Sequence, residues 1–81
     1  YALNELGLCL VYLGSIEEGI ISFTKAIKLR PDDYEIMCNR GMSYLQLNDI
    51  ENAKRDILNA YSMNDKDEIT ISCKNELERY I

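Results

Sequence analysis

With 81 residues, 47% of them hydrophobic and 28% charged, the chain has the composition of one small soluble domain, burying roughly 60% of its unfolded surface. A net charge of −5 provides no cationic face to displace counterions from phosphate, which excludes nucleic acid and anionic membrane surfaces as partners. No apolar run approaches the ~20 residues of a membrane span, and the chain contains no histidine, the common general base near neutral pH.

Apolar residues recur at three- and four-residue steps from end to end, which predicts helices throughout and no strands. The chain opens at Tyr1 without an initiator Met and runs straight into helical pattern, as expected of a piece of a longer protein. Leu3, Leu6, Leu10 and Leu13 form the first stripe, and Gly14-Ser15 breaks it. Ser15 and Glu18 have the spacing of a capping box that opens a second helix. That helix carries Ile16, Ile20, Phe23 and Ile27 on one face, with Gly19 and Ala26 where a neighbour comes close. Arg30-Pro31-Asp32-Asp33 ends it, because proline disfavours helix at the residue before it and aspartate caps the helix that follows.

A third helix is expected over residues 34–47, a turn at Asn48-Asp49 with Asp49 as cap, and a fourth helix over 51–63 with Ala53, Ile57 and Ala60 as its contact face. Asp65 and Glu68 again have capping-box spacing. The last helix, about 67–80, shows the stripe Ile69, Cys73, Leu77 and Tyr80. The turns of two to four residues make neighbouring helices antiparallel.

The plan repeats at an interval of 34 residues: Gly7 recurs as Gly41, Ile16 as Ile50, Glu17 as Glu51 and Ala26 as Ala60. Leu6-Gly7, Gly14, Gly19, Phe23, Ala26 and Pro31 in the first unit resemble the tetratricopeptide repeat, a 34-residue helix-turn-helix unit. Gly41, Tyr44, Asn48, Ala53, Ile57 and Ala60 continue the resemblance in the second, across essentially residues 1–66. Departures from the family pattern are Leu3 and Met37 at its aromatic position, and Arg40 and Lys74 at the leucine before glycine. The resemblance implies an all-α fold of antiparallel helix-turn-helix repeats stacked as a short right-handed α-solenoid. The expected units are residues 1–33 and 34–66, with 67–81 either a solvating helix or the first helix of a third repeat.

No catalytic constellation is found, and no cofactor is expected. The acid pairs Glu17-Glu18, Asp32-Asp33 and Asp67-Glu68 stand at helix N-termini, where carboxylates complement the helix dipole. The run 64–68 lacks the glycine and distal glutamate of a calcium loop. Cys9, Cys38 and Cys73 have no CxxC spacing and no histidine partner, so no metal site is expected. They read as quiet thiols in a reducing intracellular compartment, the cytoplasm, with Cys38 and Cys73 facing each other across adjacent helices.

By the resemblance, the first helix of each unit lines a concave groove. Its residues are then Asn4, Leu8, Val11 and Tyr12, followed by Glu35, Cys38, Asn39, Met42 and Leu45, and finally Ile69, Ser72 and Glu76. Leu8, Val11, Tyr12, Met42 and Leu45 are apolar beyond the needs of one packing stripe, which suits a groove for a peptide or helix of another protein. Asn4 and Asn39 would bond the ligand backbone. Two other occupants remain open: a following helix of the same protein, or a second copy in a homo-oligomer. The carboxylate clamp that binds acidic chaperone tails is not matched, since Asn4, Leu8, Ile69 and Cys73 stand at its positions and only Asn39 agrees.

Overall fold

The computed structural model describes residues 2–81 and folds them into five helices: α1 (Ala2–Tyr12), α2 (Ile16–Leu29), α3 (Tyr34–Gln46), α4 (Ile50–Met63) and α5 (Glu68–Glu78). The expected first unit begins at Tyr1, which lies outside the described residues. The all-α expectation is met. Where the periodicity set bounds, the observed helices agree to within two residues.

The first helix of each unit turns into the second in the same way twice. Gly14 takes a φ of +92° between α1 and α2, and Asn48 takes +61° between α3 and α4. The two positions are 34 residues apart. Glycine enters this left-handed region without a Cβ clash, and asparagine is among the few side chains that tolerate it. Asp33, Asp49 and Asp67 each cap a helix, accepting from backbone N–H groups of Glu35 and Ile36, of Asn52, and of Ile69.

Two capping expectations are corrected. Ser15 stands at the N-cap of α2 but makes no side-chain cap hydrogen bond. Its backbone (ψ 63°) resembles that of Asp49 (ψ 79°), whose longer carboxylate does reach an amide. The α5 cap is Asp67 rather than Asp65, because the helix begins at Glu68 and only the residue before it reaches the first-turn amides.

Packing follows the glycines. A Cβ on Gly7 would meet the Phe23 ring at 2.5 Å, and one on Gly41 would meet Ile57 Cγ1 at 2.6 Å. Each glycine is thus the hole that the opposing side chain fills, and Phe23 and Ile57 are fully buried. Burying a side chain of this size is worth about 1.5–3 kcal/mol. Phe23, Ala26 and Ile36 form one core cluster; Met37, Cys38, Leu45, Ala53, Ile57, Ala60, Cys73 and Leu77 form the other, and Ile27 packs against both.

The stripe expected for α1 is also corrected. Leu6 and Leu13 are exposed, whereas Gly7 is buried and Leu3 and Val11 pack against the Phe23 cluster. The helix meets its neighbours along Leu3, Gly7 and Val11, a strict four-residue step in which glycine counts as a contact position. On α5 the buried face is Thr70, Cys73 and Leu77, while Ile69 and Tyr80 are exposed. Thr70 belongs inside because its hydroxyl bonds the backbone carbonyls of Asn64 and Asp67, which satisfies it without water.

Candidate interaction surface

Consecutive helices pack pairwise, and α3 also contacts α1 and α5, so it touches all four other helices. The second helices, α2 and α4, do not pack on each other. The first helices α1, α3 and α5 therefore run side by side as one wall. This is the wall on which the sequence pattern places its candidate residues.

Asn39 donates from Nδ2 to Oδ1 of Asn4 at 2.9 Å, tying α3 to α1. The two groups expected to bond a ligand backbone thus bond each other, and each amide still has a second polar atom to present. Leu8 is 44% exposed and Tyr12 90% exposed. With Cys9 and Leu13 they line an open, almost wholly apolar concavity of about 480 Å³. Glu35 is exposed beside the wall, and Met42 is half-buried against the second core cluster.

Three of the expected contact residues lie elsewhere. Cys38 and Leu45 are 1% and 2% exposed, because α4 and α5 both pack on α3. Val11 is half-buried, and its Cγ2 would lie 2.6 Å from a Cβ on Gly19. These residues shape the wall from beneath; they do not face outward. On α5, Ile69 and Ser72 are exposed and Glu76 is half-buried.

One constellation went unread in the sequence. Arg40 binds Asp56 with both ends of its guanidinium, Nε to Oδ2 and Nη2 to Oδ1, each at 2.7 Å. Its Nη1 donates to Thr24 Oγ1 at 3.2 Å, and its guanidinium lies 6.0 Å from the Tyr44 ring centre. Asp56 is 5% exposed, a buried carboxylate that needs this bidentate partner. The hydrogen bond that Arg40 donates to Asp56 in turn raises the pKa of Arg40, despite the opposing cost of its burial. The signal was present in the repeat itself. The counterparts of Arg40 and Asp56 one unit earlier are Leu6 and Ser22, so both members of the pair change together.

A second network pins α5. Tyr34 donates its hydroxyl to Asp67 Oδ2 at 2.6 Å and accepts from Asn64 Nδ2 at 3.2 Å. The bond to Asp67 raises the Tyr34 pKa, and the same bond, with that from the Ile69 amide, lowers the Asp67 pKa. Cys38 and Cys73 meet beneath the wall, as their spacing predicts. The neighbouring Cys73 thiol, and then burial, push the Cys38 thiol up.

Among the described residues, no helix is long and apolar enough to cross a membrane. No group of three or more His, Cys, Asp or Glu side chains among them is placed to hold a metal ion. One tetratricopeptide repeat family model matches residues 1–33 and another matches residues 22–55. No curated relative matches the chain. With two matches that together span residues 1–55, and glycine-filled helix pairs repeated at an interval of 34 residues, the chain belongs to the tetratricopeptide repeat family, whose repeats mediate contacts between proteins.

Proposed function

We propose that this chain is a non-catalytic interaction module that takes a peptide or helix of a partner protein on the wall of α1, α3 and α5. The observation that carries the reading is the exposure of Leu8 and Tyr12 in an apolar concavity on α1, the helix that Asn4 ties to α3 through Asn39. Exposed large apolar side chains gathered in one place mark a contact surface, and aromatic rings are favoured anchors there. Residues 1–33 and 34–66 act as the two repeats, and 67–81 as a solvating helix or the first helix of a third repeat. Glu35 and Glu76 on the wall favour a neutral or mildly basic segment.

Peptides selected from a random library against the chain provide the test. Leu8→Glu with Tyr12→Glu should weaken the selected peptides at least tenfold while leaving the thermal unfolding curve in place. Unchanged affinity removes the wall from consideration. Met42→Glu is less clean, since Met42 also packs on the core.

A specific observation favours self-assembly as the second reading. Ile36 and Arg40 of the second unit are covered by α2 of the first. Their counterparts in the first unit, Ala2 and Leu6, are exposed, as are Cys9 and Leu13. A second copy would cover this face, as would a further unit of the same protein. Light scattering across a hundredfold concentration range separates the readings: a dimer that dissociates on dilution supports assembly, and a monomer throughout supports the open wall.

A further inference from the structure

We propose that Cys38 and Cys73 are a disulfide-forming pair, closed by a peroxide and reopened by a thiol reductant, that fastens α5 to α3. The argument begins with the register of the first helices. Asn4 on α1 meets Asn39 on α3 side chain to side chain at 2.9 Å. Moving both members 34 residues along the chain gives Cys38 on α3 and Cys73 on α5. The repeat therefore brings the two cysteines together as the next rung of the same ladder.

The surroundings agree. Both thiols are unbridged and buried in one core cluster, Cys38 at 1% and Cys73 at 7% exposure. Each is the largest influence on the other's titration, raising Cys38 and lowering Cys73. Cys73 is the more accessible, on a helix that among the described residues packs on α3 and α4.

The chemistry balances with a peroxide as oxidant. Cys73 Sγ takes one peroxide oxygen as the O–O bond breaks, water leaves, and a sulfenic acid remains. Cys38 Sγ then attacks that sulfur; the S–S bond forms, the S–O bond breaks, and a second water leaves. Two thiols have lost two electrons and two protons, and hydrogen peroxide has become two waters. A thiol reductant reverses the bond by exchange through a mixed disulfide.

The experiment uses the folded chain carrying Cys9→Ser, which removes the exposed thiol, treated with a small excess of hydrogen peroxide. The expected product is monomeric and lighter by two hydrogens, with the tryptic peptides ending at Arg40 and Lys74 joined, and dithiothreitol restores the starting mass. Its thermal midpoint rises by roughly 15–30 °C, the scale of a bridge closing a loop of this length in a small domain. Adding Cys73→Ser abolishes the internal link. The proposal is overturned by oxygen adducts without a joined peptide, by no mass change, or by a link that forms only in urea. A link that leaves the midpoint unchanged overturns the fastening of α5.

Discussion

The side chains of Asn4 and Asn39 close a single hydrogen bond of 2.9 Å between α1 and α3, and so join the first helices of successive units. Both residues are half-buried, so removing one leaves the other poorly solvated. Asn39→Ala should cost about 1 kcal/mol in urea unfolding. The double variant with Asn4→Ala should lose little more than either single one, because the two effects share one bond. Simple additivity of the two losses would show that the pair contributes nothing jointly.

Gly19→Ala should destabilise the chain even though alanine is the better helix former. Its Cβ would lie 2.6 Å from Val11 Cγ2 and 2.9 Å from the backbone oxygen of Gly7. A β-branched side chain in a helix has little freedom to turn aside, and a backbone oxygen has less. Overpacking of this kind costs about 1–3 kcal/mol, against a propensity gain of about 1 kcal/mol. Gly14→Ala is the useful contrast: nothing lies within 4 Å of its Cβ, so only the positive φ of 92° opposes it. A thermal midpoint for Gly19→Ala at or above that of the parent would contradict this packing.

What could be read from the residues, and what could not, follows from the range of the interactions. Helix bounds and the caps at Asp33 and Asp49 depend on neighbours within four residues, and both were legible. The stripe of α1 was misread because glycine carries no hydrophobic weight, yet Gly7 is the point at which Phe23 enters. Cys38 and Leu45 were placed in the groove because one helix considered alone cannot reveal that α4 and α5 both close on α3. The Arg40–Asp56 pair spans two helices, so local pattern is silent on it; comparison of the two units at matched positions would have exposed it.

Asp56→Ala strands a guanidinium that is 21% exposed among packed helices. Breaking a buried pair from one side costs about 3–5 kcal/mol, a large share of the stability of a domain this small. Arg40→Met combined with Asp56→Leu should recover most of that loss, since it removes both desolvation penalties at once. Urea midpoints of the single and double variants decide the point. A double variant no better than Asp56→Ala would mean that the pair positions the helices beyond satisfying its own charges.

The Tyr34–Asp67 hydrogen bond should make the seating of α5 sensitive to acid and to strong base. Asp67 has a lowered pKa in the folded chain, so its contribution is present above the ordinary carboxylate value of about 3.9 and is lost as pH falls through the folded value. Tyr34 is raised, so its contribution holds below the ordinary phenol value of about 10 and is lost as pH rises through the folded value. Tyr34→Phe should flatten the stability–pH curve at both ends. Curves that stay parallel across the whole range would show that the bond has no counterpart in solution.

Arg40 reaches Asp56 on α4 and Thr24 on α2 from a position on α3, and so one side chain spans the seam between the two units. In a stacked array each unit can in principle fray by itself, and the sharpness of melting reports how strongly neighbours are coupled. With that cation shared across the seam, loss of the second unit withdraws a partner from α2 of the first. The chain should consequently melt in one step, and the position where tetratricopeptide units usually carry a leucine becomes the source of its cooperativity.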